Sequence, residues 1–191
     1  SIQDDAVSKP EILAPAGNRA SFLSAIAAGA DAVYCGLKQF SARMAAPNFT
    51  FEELAALTRL AHARGIKVYV AFNTLVKPEE LERAEAFLHR LKFDVNPDAL
   101  IVQDLSLLTL ARKTGLKKEL HLSTLTNVSF PEALNLVRHE LSVDRVVLPR
   151  ELNIDEIKMM AEACPDGLGL EVFIHGALCY GVSGRCYWSS Y

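Results

Sequence analysis

Seven short apolar runs punctuate the chain at a mean spacing of about 26 residues, and that rhythm constrains the fold more than any other feature. The runs are 11–16, 32–37, 67–72, 99–103, 119–123, 145–148 and 169–174. Each is rich in Val, Ile and Leu, and most are apolar on successive residues. That is the pattern of parallel strands buried on both faces, not of half-exposed antiparallel ones. A spacing of this size leaves room for one helix and two short loops between strands.

The intervening stretches carry helix signals. Residues 51–64 place Leu54, Leu57, Leu60 and Ala61 on one face; Thr50 is the N-cap, Glu53 sits at the capping-box position and Gly65 ends the helix. Residues 78–91 open with Pro78, Glu79 and Glu80, suited to the first turn and the positive end of the helix dipole. Residues 105–114, 131–140 and 154–163 behave alike. There is also a local echo: Asp31-Ala32-Val33-Tyr34, Asp98-Ala99-Leu100-Ile101 and Asp144-Arg145-Val146-Val147 each open a strand with Asp. No linker or low-complexity tract divides the chain.

Seven strands and six helices in alternation fit an open doubly wound sheet or a (β/α)8 barrel of the TIM type. The turn after the first run, Ala14-Pro15-Ala16-Gly17-Asn18, lacks the glycine pattern of a dinucleotide fold. The even spacing favours the barrel, incomplete, with about seven parallel strands. On that count, residues 1–10 form a tail and residues 11–191 the N-terminal barrel domain of a longer protein. Seven strands would stop one short of closure, leaving the first and last with unpaired edges through which a homodimer could form.

Composition narrows the function. With 191 residues, half of them hydrophobic, the chain can bury a full core. A formal charge of −3 argues against a generally basic nucleic-acid binder but leaves room for a local basic site. No run of 18 apolar residues is present, and the start Ser1-Ile2-Gln3-Asp4-Asp5 does not read as a signal peptide, so the expectation is a cytoplasmic protein. Its four cysteines then read as reduced thiols or metal ligands.

Barrel enzymes carry their chemistry at the C-terminal ends of the strands. Here those ends hold Asn73, Gln103, Asp104, Ser123, Arg150, Glu151 and His175, with Glu171 inside the seventh run. We take Asn73, Gln103, Ser123 and Arg150 as candidate binders of a small anion or polar metabolite, and His175, Glu151 and Asp104 as candidate catalytic groups; Asp104 also suits an N-cap before Leu105. His62, His89 and His139 lie on helix faces and read as structural. The basic stretch 112–118 reads as a solvated face at the opposite end of the barrel, or an RNA contact. Cys179 and Cys186 flank a glycine-rich stretch in which Gly176, Gly181 and Gly184 permit sharp turns. Their spacing alone leaves metal ligation, a disulfide and free thiols open, because two thiolates do not complete a zinc or iron–sulfur site. No H-E-x-x-H pair is present, and Gly181-Val182-Ser183-Gly184-Arg185 departs from the nucleophile-elbow pattern.

The stretch Glu171-Val172-Phe173-Ile174-His175-Gly176-Ala177-Leu178-Cys179, followed by Ser183-Gly184-Arg185-Cys186, resembles the signature of peptidase family U32, the collagenase-like proteases. Leu13 to Asn18, Gly29 to Tyr34, Phe40 to Arg43, Asn73 to Val76, Gln103 to Leu105 and Leu148 to Leu152 fit the same family; Leu125 and Trp188 depart from it. The resemblance implies one of three activities: proteolysis, as the family label says; hydroxylation of tRNA or rRNA bases using a small acid such as prephenate; or accessory work in quinone hydroxylation. It also implies a 4Fe–4S cluster with Cys179 and Cys186 as two of its four ligands, the other two beyond residue 191. On that reading Cys35 is the one plausible third thiolate within this chain, too few for a stable cluster.

Overall fold

The computed structural model describes residues 11–37, 48–72, 77–102, 105–113, 119–123, 131–139, 142–148, 153–174 and 177–181. Seven parallel strands run in chain order: β1 Glu11–Pro15, β2 Ala32–Leu37, β3 Lys67–Phe72, β4 Ala99–Val102, β5 Glu119–Ser123, β6 Arg145–Val147 and β7 Gly169–Ile174. Six helices alternate with them: α1 Arg19–Ala27, α2 Phe51–Ala63, α3 Leu81–Arg90, α4 Leu105–Lys113, α5 Pro131–His139 and α6 Ile154–Glu162. The expected barrel, with seven parallel strands and six helices, is what the chain forms.

One expectation is overturned. An eighth strand, β8 Ala177–Gly181, pairs antiparallel with β7 on one side and β1 on the other, and the sheet closes. The outer strands therefore present no unpaired edge, and the proposed homodimer through such edges loses its basis. The physical reason is the connection. Only two residues separate Ile174 from Ala177, a hairpin length that turns the chain back beside its own strand. The glycine spacing here read as loop, yet Gly181 ends a strand.

Local signals account for most boundaries. The Thr50 hydroxyl accepts from Glu53 N at 3.0 Å, and Gly65, at φ 69°, ends the turn after α2. Asn18 and Ser21 form a reciprocal capping box on α1, and Asn153 and Glu156 do so on α6. The stretch expected as one helix over 78–91 divides into three: a 3-10 turn at Pro78–Glu80, α3, and a π-helical turn at Leu91–Val95, ended by Asn96 at φ 58°.

The strands alternate between two environments. Outward residues such as Val33, Val70, Leu100, Leu122 and Val146 pack under the helices with Phe22, Leu54, Phe87, Leu107 and Leu134. Inward residues form a second cluster of Leu13, Ala32, Tyr69, Ala71, Ala99, Ile101 and Val147, mixing small and large side chains as a closed barrel requires.

The echo of strand-opening aspartates has a structural meaning. Asp31 Oδ2 accepts from Ile12 N at 2.8 Å, Asp98 Oδ2 from Val68 N at 2.8 Å, and Asp144 Oδ2 from Leu120 N at 2.9 Å. In each case the carboxylate at the foot of an even strand captures the second amide of the preceding odd strand. The same pairs are joined by a backbone bond from the aspartate N–H to that residue's carbonyl. Three strand pairs, β1–β2, β3–β4 and β5–β6, are thus clamped alike at the N-terminal end of the barrel.

Candidate functional site

Because β3 to β7 are parallel, their C-terminal ends at Phe72, Val102, Ser123, Val147 and Ile174 share one rim. Asn73, Gln103, Asp104, Arg150, Glu151, His175 and Cys186 lie outside the described residues, so whether they converge on this rim is a proposal. Ser123 and Cys179 are described through their backbone: Ser123 closes β5, and Cys179 lies within β8, in register with Ile12 of β1 and Val172 of β7. Glu171 is in register with Tyr180.

The rim has one described polar residue that sequence reasoning missed. Asn48 Nδ2 donates to the carbonyls of Gly36, at 2.7 Å, and Gly17, at 3.2 Å. It pins the tops of β1 and β2 together.

A second polar group lies deeper. Glu11, Tyr69, His121 and Arg145 occupy the N-terminal half of the barrel interior. The Tyr69 hydroxyl donates to Glu11 Oε1 at 2.7 Å and accepts from Arg145 Nη1 at 3.2 Å, while Arg145 Nη2 lies 3.4 Å from Glu11 Oε2. The guanidinium carbon sits 5.3 Å from the Tyr69 ring centroid, and the His121 ring meets Tyr69 edge-on at 5.0 Å. Arg145 is 4% exposed and His121 fully buried. A charge this deep persists only when paired and hydrogen-bonded, and Glu11 supplies the opposite charge from across the barrel. Leu13, Ala71, Ile101 and Val147 belong to the same barrel interior. The cluster is engaged with itself, and it ties β1, β3 and β6 across the barrel. The sequence signal was present, since opposite charges sit at inward positions of two strands, but neither Glu11 nor Arg145 was expected to matter.

The thiols divide cleanly. Cys35 packs among the outward core residues under the helices, and burial pushes its thiol above the ordinary range. It does not line the rim, so its expected role as a third cluster ligand is withdrawn. Cys164 Sγ donates to Leu168 O at 3.2 Å. Among the described residues, no three His, Cys, Asp or Glu side chains converge as a metal site. Cys179 and Cys186 are the thiols left for a metal, two where a four-thiolate cluster needs four. These two thiols do not complete a four-thiolate ligand set.

His62 reads as expected. Its Nε2 lies 2.7 Å from Asp98 Oδ2, reinforcing the clamp on β3.

Comparison with known proteins sets these features in a family. The chain is 41% identical over 184 residues to an uncharacterized protease of Methanocaldococcus jannaschii, covering 95% of this chain and 44% of that protein. It is 39% identical over 183 residues to tRNA hydroxylation protein P1 of Bacillus subtilis, covering 96% and 42%. It is also 39% identical over 177 residues to the 23S rRNA 5-hydroxycytidine C2501 synthase of Escherichia coli, covering 93% and 26%. The chain thus spans less than half the length of these curated relatives. A solved U32 peptidase structure superposes with a TM-score of 0.64 at 15% identity, over 90% of this chain and 71% of that one, a likeness of fold. The model of peptidase family U32 matches residues 17–191, and the chain belongs to that family.

Proposed function

We propose that this chain is the barrel portion of an RNA-base hydroxylation protein, with the substrate base received at the C-terminal rim. The observation that carries this reading is 39% identity, over 93–96% of this chain, to parts of proteins named for tRNA and rRNA hydroxylation. The rim residues Asn73, Gln103, Ser123 and Arg150 would hold a small acid or the base itself. A guanidinium at position 150 suits a carboxylate such as that of prephenate, and the amide side chains suit the edge of a base. His175, Glu151 and Asp104 would position or move protons there. Cys179 and Cys186 would contribute two ligands to a 4Fe–4S cluster, completed by residues outside this chain, which would supply electron transfer. Such a protein would work in the cytoplasm; in the structure, no helix among the described residues is long and apolar enough to cross a membrane.

The second reading, proteolysis, is favoured by the names of other relatives, a protease and a collagenase. One experiment separates the two. The gene of the full-length protein is deleted and total tRNA and rRNA are digested to nucleosides for mass spectrometry. Loss of a hydroxylated uridine or cytidine, restored by the wild-type gene and not by Cys179→Ala or Arg150→Gln, is the expected result. Unchanged nucleosides, with peptidase activity in the purified protein, would overturn it.

A further inference from the structure

At the N-terminal end of the barrel, opposite the rim, lies an open groove of about 610 Å3 lined by Arg112, Arg138, His139, Ser142, Asp144 and Asp166. The two arginines close α4 and α5 and are held from several sides. Arg112 Nη2 donates to Ser142 O, and Arg138 Nη1 donates to Val143 O at 3.2 Å. Both guanidiniums flank the single Asp144 carboxylate, at 3.8 and 3.6 Å. That carboxylate is already committed to Leu120 N. Ser142 holds φ at 52°, a left-handed conformation strained for a non-glycine residue, and its carbonyl accepts from Arg112. Gly167, at φ 82°, leaves the space Arg138 occupies: a Cβ there would lie 2.7 Å from Nη2.

Two planar guanidiniums are thus fixed around one carboxylate, with about a third of each side chain still exposed to the groove. Fixed forks of N–H donors recognise phosphate oxygens at low entropic cost. The lining sets these two arginines and the His139 imidazole beside the carboxylates of Asp144 and Asp166.

We propose that this groove binds a backbone phosphate of the RNA substrate, anchoring the strand away from the rim. The assignment of RNA rests on the hydroxylation reading above; the phosphate chemistry does not. In the full-length protein, binding of a fluorescein-labelled single-stranded 12-mer RNA is followed by anisotropy at several salt concentrations. Each lost phosphate contact lowers the slope of log K against log salt by about 0.7, or about five-fold in affinity at 0.1 M salt. Arg112→Gln is expected to show that loss. Because Arg112 also braces Asp144, His139→Glu serves as a second variant: it places a negative charge in the groove at an exposed helix end, and is expected to weaken RNA binding in a protein whose circular dichroism shows it still folded. Wild-type affinity and slope in both folded variants would overturn the groove while leaving the hydroxylation reading standing. Binding of inorganic phosphate lost in Arg112→Gln, with no RNA binding by the wild type, would overturn the RNA assignment and count against that reading as well.

Discussion

Replacing Asp98 by Ala removes one clamp and tests whether the aspartate echo holds the barrel. Asp98 Oδ2 accepts from Val68 N at 2.8 Å and lies 2.7 Å from His62 Nε2. Val68 is fully buried, so its amide loses its side-chain acceptor with little access to water. An orphaned buried donor costs about 1–3 kcal/mol, and a bond to a charged acceptor stands at the upper end of that range. The His62 contact is a third exposed on each side and adds less than about 1 kcal/mol. The expected loss is therefore about 2–3 kcal/mol for Asp98→Ala, and about 1 kcal/mol for Asp98→Asn, which keeps a neutral oxygen. Urea unfolding reads this directly. With m of about 2 kcal/mol/M, the midpoint falls by about 1 M for Ala and half of that for Asn, at unchanged m. The three clamps should also rank. Leu120, under Asp144, is fully buried, whereas Ile12, under Asp31, is 51% exposed. Asp31→Ala should thus cost least, since water can replace the lost acceptor. Equal midpoint shifts at all three positions, or none at Asp98, would refute the reasoning.

Three further outcomes concern single side chains. Arg145→Met should destabilise by about 2–4 kcal/mol, because it strands the Glu11 carboxylate, and adding Glu11→Gln should recover more than half; an additive pair in a double-mutant cycle would show the two are not coupled. Gly65→Ala should cost about 1–2 kcal/mol from backbone strain alone, since nothing lies within 4 Å of the added Cβ, and Gly65→Asn should cost less, as differential scanning calorimetry can resolve. The Cys35 thiol stays protonated in the fold while it ionises in the unfolded chain, so the unfolded state binds fewer protons above the ordinary thiol range. Stability should consequently fall as pH rises past about 9, by up to about 1.4 kcal/mol per unit relative to Cys35→Ala, and a slope unaffected by that substitution would count against it.

The rhythm of apolar runs was legible because burial on both faces of a parallel strand writes itself into consecutive residues. Runs such as Ala32–Leu37 and Lys67–Phe72 appear in the structure with the same bounds. The strand at Ala177–Gly181 was not legible: five residues, two of them Ala and Gly, carry a weak strand preference, and its partners lie far away in sequence or only two residues before it. The Asp echo was visible, but its purpose needed the register that brings Asp98 beside Val68. The Glu11–Arg145 pair spans 134 positions in the chain, and nothing local to either residue announces the other. The thiols show the reverse error. Cys35 looked available from its position near a strand end, yet the parity of β2 turns it toward the helices.

The reversed direction of β8 also decides where the polypeptide leaves the barrel. A parallel eighth strand would finish at the rim. β8 instead runs down from there, so Tyr180 lies in register with Glu11, the first residue of β1. The outermost strand ends meet on one face, hydrogen-bonded neighbours in the same sheet. Positions 11 and 181 could be spliced by a short Gly/Ser bridge in a circular permutant of residues 11–181, with fresh termini opened in a surface connection elsewhere. Any segment joined at Glu11 or Gly181 would start from neighbouring positions on the sheet, at the N-terminal ends of the parallel strands.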